Sequence, residues 1–246
     1  MPCLPTLHHL WVGLNKPLLM INEIKPVAVF HSPLKSKFGL PRQSGVADRL
    51  VGYVELVEQY NDPDMIRGIE DFEYLWLIWG FSANRHESVS PLVRPPRLGG
   101  NSKVGVFASR SPFRPNGLGL SVVRLQTVET GHGRVRLEVT GADLMDGTPI
   151  YDIKPYLPYT DSHPDAKAGF TDTREWQPLN VEIPPAVERL FEEEQLAALR
   201  QVLSQDPRPH YHDNPDRVYG FPYYDYDVRF RVCDDIVTVV EAIRRK

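Results

Sequence analysis

Proline limits what this chain can become. Its 246 residues include 23 prolines, close to twice the usual share of about 5%, and each fixes φ and removes a backbone donor. Long helices are disfavoured; strands, turns and shaped loops are favoured. The tightest constraint falls at residues 105–125, GVFASRSPFRPNGLGLSVVRL. Val104, Val106 and Phe107 read as the end of one strand, and Leu120, Val122, Val123 and Leu125 as the start of the next. Between them Pro112, Pro115, Gly117 and Gly119 stop either strand from continuing, so Arg110, Arg114 and Asn116 project from a stiffened loop. A surface turn with solvated arginines is the bland alternative, but ordinary connections are shorter and less proline-fixed.

Charge sharpens the point. Arg94, Arg97, Lys103, Arg110, Arg114 and Arg124 fall in a stretch with no acidic residue, on a chain whose net charge is −4. A basic stripe on an acidic protein predicts a specific anionic partner, and nucleic-acid phosphate is the commonest. A solvated basic face is the competing reading.

Strand patterns dominate the first two-thirds. Val27 and Val29, Val54 and Leu56, and Val135, Leu137 and Val139 alternate with their neighbours as half-buried strands do. The run YLWLIWGF, residues 74–81, is apolar on both faces and predicts a central strand. Asp62 before Pro63 predicts a helix start, with a short helix running toward Phe72. Beyond Pro184 and Pro185, the spacing of Val187, Leu190, Phe191, Leu196, Leu199 and Leu203 predicts a helix ending before Pro207. Val228, Phe230 and Val232 then alternate with arginines ahead of an apolar run from Ile236 to Val240, which puts Arg229 and Arg231 on one exposed face. The expected class is mainly β: a single barrel at 23–165 with short helices, then a small α+β subdomain at 184–246. Residues 1–22 are read as a disordered or misassigned extension, Met20 being able to start a chain itself.

Cys3 and Cys233 are the only cysteines, which suits a reducing cytoplasm and excludes a disulfide framework. No apolar run approaches the roughly 18 residues of a membrane span, and the proline-broken start lacks a signal peptide's apolar segment. Gly117 and Gly119 begin a dinucleotide-binding pattern that Val122 breaks, and no P-loop exists, so a doubly wound nucleotide-binding sheet is not supported. His210, His212 and Asp213 imitate metal ligands without supporting cysteines, and no metal is expected. Asp143 and Asp146, three residues apart in GADLMDGTP, read on their own as a plain turn with a structural aspartate.

Four blocks then stand out: KFGLPRQSGV (37–46), VRPPRLGG (93–100), SRSPFRPNGLGLS (109–121) and DGTPIYDIKPYLPY (146–159), with QDPRPHY (205–211) in the tail. Their content and order resemble the YaeB/TsaA family of tRNA adenosine N6-methyltransferases, also called TrmO, from about Ile24 to the C-terminus. The resemblance implies an all-β barrel that binds S-adenosylmethionine in loops and works as a homodimer. It implies a donor pocket containing Gln43, Ser44, Gly45, Phe81, Ser82, Arg110, Leu120, Gly141, Ala142, Asp143, Leu144 and Asp146. Ser82 and Ala83 stand where the family can carry histidine and glutamine, and GLGLS where proline and isoleucine often follow the asparagine.

The implied acceptor is N6 of adenosine 37 in a tRNA anticodon loop, already bearing a threonylcarbamoyl group. Its carboxylate offers a target for a cation, which Arg110, Arg114 or Lys154 could supply. Tyr156 and Phe113 suit stacking of splayed bases, though core packing explains either ring as well. Arg110, Arg114, Asn116, Lys154 and Tyr156 form the candidate reaction set. An RNA-binding module without chemistry and a small-molecule enzyme on the same barrel are the rival readings.

Overall fold

Six strands close on themselves because each alternates between core and surface. In the computed structural model, which describes residues 23–84, 90–95, 98, 102–131, 133–172, 177–208 and 214–245, these are β1 (Ala28–His31), β2 (Val51–Leu56), β3 (Tyr74–Gly80), β6 (Leu118–Gly131), β7 (Arg134–Thr140) and β8 (Thr148–Pro155). They pair in the order β1-β2-β7-β6-β3-β8 as a closed barrel, every ladder antiparallel. The alternating valines and leucine of β7 (Val135, Leu137, Val139) are buried with Phe30, Val54, Leu75, Leu77 and Ile150. Each such side chain contributes about 1.5–3 kcal/mol through burial. Gly52 makes room for this packing, since a Cβ there would lie 2.3 Å from the Phe30 ring.

As expected of a strand apolar on both faces, β3 is central, lying between β6 and β8. Leu75, Leu77 and Trp79 face inward. On the outer face, Trp76 donates its indole N–H to Asp161 at 2.9 Å, tying down the short α1 (Pro158–Asp161). A two-stranded ribbon, β4 (Leu92–Val93) with β5 (Val104–Gly105), lies outside the barrel sheet.

Three local expectations change. Asp62 does cap, accepting from the Asp64 backbone N–H at 2.9 Å, but 3-10 turns at Pro63–Ile66 and Ile69–Asp71 follow in place of one helix. Gly68, at φ 83°, separates them, a left-handed break no helix continues through. The chain after Gly105 turns at Val106–Ala108 rather than staying extended, which leaves Phe107 78% exposed. Gly119, expected to stop the strand, belongs to β6, which starts at Leu118.

The C-terminal sheet runs β10 (Tyr219–Tyr223), β11 (Tyr226–Cys233), β12 (Ile236–Arg244) and β9 (Asn180–Glu182), with β9 parallel to β12. The single helix expected here divides into α2 (Pro185–Glu188) and α3 (Glu193–Ser204). Glu192 takes an extended conformation and forms a capping box with Gln195, while Phe191 turns aside onto Tyr223 and Tyr226, 5.6 and 5.3 Å between ring centres. The core of this unit holds Leu199, Leu203, Phe221 and Phe230, and takes in Leu34, Ala47 and Leu50 from the segment between β1 and β2. Expectations placed on residues 1–22 (Met20 and Cys3 among them), on Arg97, and on His210, His212 and Asp213 lie outside the described residues.

Candidate active site

Three segments converge at one end of the barrel. The β3 end supplies Trp79, Gly80, Phe81 and Ser82; the proline-stiffened loop into β6 supplies Arg110, Arg114, Gly119 and Leu120; the turn before β8 supplies Asp143 and Met145. Lys37, Arg42 and Gln43 from the 33–50 segment close the far side of a cavity of about 460 Å³. That volume suits a small ligand.

The glycines shape its floor. Gly119 pairs with Trp79 across the β3/β6 ladder, and a Cβ there would come within 2.3 Å of the indole. Phe81 packs edge-on against the same indole at 4.4 Å between ring centres. Gly117, at φ 58°, turns the chain into β6, its carbonyl accepting from Phe81 N–H at 2.9 Å.

The arginines of the loop have separate duties. Arg110 donates to Gln43 Oε1 at 2.6 Å, bridging the loop to the 33–50 segment. Arg114 donates to the carbonyls of Ser109 and Ser111 at 3.1 and 3.3 Å, so part of its donor capacity staples its own loop. Arg124, at the far end of the stripe, pairs with Glu73 at 3.0 Å. Four cations thus line the cavity, Lys37, Arg42, Arg110 and Arg114, and Asp143 is the one carboxylate among the described lining residues. Burial pushes the Asp143 carboxyl up. A hydrogen bond from Ser121, backbone N–H groups and the charge of Arg110 pull it back.

Of the residues expected at the donor, Gln43, Phe81, Ser82, Arg110, Leu120 and Asp143 line the cavity. The others stand behind it. Ser44 Oγ accepts from Val122 N–H at 3.3 Å, and Gly45 donates to the Gly141 carbonyl at 2.8 Å. Ala142 and Leu144 are buried in the barrel core, and Asp146 accepts from Ser32 N–H at 3.1 Å, 3.5 Å from His31 Nδ1. Of the reaction set, Arg110 and Arg114 line the cavity and Asn116, Lys154 and Tyr156 do not. Lys154 pairs with Asp152 at 3.0 Å, opposite Trp76 in the β3/β8 ladder, and Tyr156 packs on Tyr74 and Trp76.

Sequence reading missed Trp79, Lys37, Arg42 and Met145 among the lining residues. Trp79 was findable: it shares the inward parity of Leu75 and Leu77, and a buried indole N–H needs a partner.

Comparison with known proteins decides the lineage. Residues 29–162 match the family model for the tRNA-methyltransferase O N-terminal domain, and residues 176–245 that for the TrmO C-terminal domain. The chain belongs to the TrmO family. A TrmO relative from Escherichia coli strain K12, the tRNA (adenine(37)-N6)-methyltransferase, is 40% identical over 220 residues, covering 86% of this chain and 94% of its own. A Pyrococcus abyssi protein named "Probable S-adenosyl-L-methionine-binding protein" is 36% identical over 148 residues, 60% of this chain and 75% of its own. The crystal structure of TrmO from Pseudomonas aeruginosa aligns with a TM-score of 0.74 at 33% identity, over 91% of this chain and 99% of that one.

Proposed function

We propose that this TrmO-family chain is a tRNA methyltransferase that uses S-adenosylmethionine to methylate N6 of threonylcarbamoyl-modified adenosine 37 in an anticodon loop. The observation that carries the reading is the cavity's charge pattern: one partly buried carboxylate, Asp143, on an aromatic floor under a rim of four cations. The donor fits this set. S-adenosylmethionine supplies an electrophilic methyl on a positively charged sulfur. Asp143 supplies negative charge where the lining is otherwise cationic, Trp79 and Phe81 supply aromatic surface for an adenine, and Arg110 would hold Gln43 in place at the wall.

The rim faces the anionic substrate. Arg110, Lys37 and Arg42 are placed to meet RNA phosphate or the threonyl carboxylate through charge-assisted hydrogen bonds. An acceptor nitrogen lying between an aromatic ring and a carbonyl parts with its proton more readily than a simple amine, so the protein's main contribution is alignment, for which about 7–11 kcal/mol is available. The exposed apolar side chains Phe107, Phe113 and Leu120, on and beside the same loop, support a homodimer in which a second copy covers them. Among the described residues no helix is long and apolar enough to cross a membrane.

The test is a methylation assay on two tRNAs that differ only in the threonylcarbamoyl group, with calorimetric titration of the donor alongside. Methylation confined largely to the modified tRNA supports the full reading; equal rates refute the substrate assignment. No heat with S-adenosylmethionine would return the barrel to an RNA-binding role without chemistry. Light scattering at two protein concentrations tests the dimer.

A further inference from the structure

The carboxylate facing the cavity is held by a different strand from the one it precedes. Ser121, only 1% exposed, projects from β6 into the barrel mouth. Its hydroxyl donates to Asp143 Oδ1 at 2.5 Å and accepts from the Trp79 indole N–H at 2.9 Å. An indole nitrogen only donates, and a hydroxyl has one proton. With Trp79 fixed on the acceptor side, that proton goes to the carboxylate. Such a chain, Trp79 to Ser121 to Asp143, favours the ionised form of the acid at its end.

We propose that Ser121 is a positioning residue acting through Asp143: braced by Trp79, it keeps the carboxylate ionised and set at the cavity, so that the site prefers a cationic sulfonium ligand to the neutral thioether left after transfer. This rests on the reading of the cavity as a donor site. Preference for the sulfonium also gives the spent ligand a reason to leave. The charge that acts on Asp143 is Arg110, from the loop into β6; Arg114 from the same loop and Lys37 and Arg42 from the 33–50 segment are the other charged residues lining the cavity, and Trp79 from β3 and Thr148 from β8 bring no titratable group. Burial opposes ionisation, and the Ser121 hydrogen bond is the largest of the effects that oppose burial.

The sign follows. Removing the hydroxyl makes Asp143 take up a proton at higher pH, and the preference for the cation is lost as pH falls through that higher value. The experiment titrates the full chain with S-adenosylmethionine and S-adenosylhomocysteine across the acidic to neutral range. In Ser121→Ala the preference for the sulfonium is expected to fail about one to two pH units above wild type, the shift expected from one hydrogen bond to a charged group. Ser121→Thr, which keeps the hydroxyl, should return toward wild type, and Asp143→Asn should show no preference at any pH. A Ser121→Ala chain that binds both ligands more weakly but with the wild-type pH midpoint overturns the proposal, as does a pH dependence that survives Asp143→Asn. Should Ser121→Ala fail to fold, Trp79→Phe, which keeps a ring but frees the hydroxyl, must shift the midpoint in the same direction or the proposal falls. Wild type that binds neither ligand overturns the donor reading as well, a result distinct from all of these.

Discussion

The cavity has one wall made of strand and one made of loop, and the two are held in different ways. On the strand side, Trp79, Gly119 and Ser121 sit in the β3/β6 ladder, so their positions are set by backbone hydrogen bonds within the barrel. On the loop side, Lys37, Leu40, Arg42 and Gln43 belong to a segment whose anchors lie 164 to 191 residues away. Leu34 bridges to Tyr223, Tyr224 N–H donates to the Pro33 carbonyl at 3.2 Å, and Arg42 donates to the Asp206 carbonyl at 2.9 Å. Gly39 lies flat on Phe221, where a Cβ would meet the ring at 2.7 Å. Burying Leu34, Ala47 and Leu50 in the C-terminal core means that folding of the tail sets the shape of a wall in the barrel's pocket. Distance along the sequence therefore does not separate a ligand pocket from a tail that packs beneath one of its walls.

The largest effect should come from the strand wall. Gly119→Ala puts a methyl into the Trp79 ring, and that ring is buried beneath Phe81 with little freedom to move. Overpacking of this kind costs about 1–3 kcal/mol, and donor binding should disappear because the ring is the cavity floor. Melting curves and calorimetry read the two quantities. Donor affinity near wild type would show that Trp79 does not define the floor.

Gly39→Ala probes the loop wall. Gly39 sits at φ 94°, which an alanine resists, and the added methyl also strikes Phe221. The expected result is a donor affinity about tenfold weaker, equivalent to about 1.4 kcal/mol, with the barrel still folded. Unchanged donor binding in a variant whose tail has loosened would break the comparison, because the loop wall would then stand without the C-terminal sheet.

How legible each wall was follows from the same contrast. The barrel's strands were readable because a one-sided core imposes a period of two, as in Val135, Leu137 and Val139, and the loop from Ser109 was readable because proline and glycine leave few conformations. Arg110 and Arg114 were therefore readable from residue type as projecting from a stiffened loop, while the family resemblance put Arg110 in the pocket; both line the cavity. Lys154 and Tyr156 were placed beside them by chemical type, yet β8 carries Lys154 opposite Trp76 on the outer face of the barrel, and Tyr156, just past the end of β8, packs on Tyr74 and Trp76. Lys37 and Arg42 were missed as lining residues although both lie in the 37–46 block, because nothing local says that they reach the cavity; what brings them there is the packing of Leu34, Ala47 and Leu50 on a sheet that ends the chain. Ser121 was invisible for a related reason, since its meaning depends on Trp79 and Asp143, both distant in sequence.

The loop's two arginines offer a smaller contrast. Arg110→Ala removes the bridge to Gln43 and one charge facing Asp143, so turnover on modified tRNA should fall by about tenfold while the melting temperature holds. Arg114→Ala removes the hydrogen bonds to Ser109 and Ser111, each worth about 0.5–1.5 kcal/mol, and should lower stability as well as rate. If the two variants lose activity and stability in the same ratio, the division of duties between bridge and staple is wrong.

The smallest effect concerns the tail's exposed arginines, and here the paired and unpaired residues differ. Arg229 is engaged by Asp227 at 3.2 Å and by Glu241 at 2.9 Å, whereas Arg231 makes no ion pair among the described residues and is exposed. A phosphate must compete with two carboxylates for the first and with none for the second. If this face meets tRNA, Arg231→Ala should reduce the slope of binding against salt by about one logarithmic unit, the contribution of roughly one phosphate contact. Arg229→Ala should change it less, because its loss also frees two carboxylates that repel the backbone and weaken binding by a different route. Filter binding of tRNA over a salt series measures both, with donor titrations in parallel. Equal slopes in wild type and Arg231→Ala would remove this face from the tRNA interface and leave the tail with the single duty of supporting the loop wall.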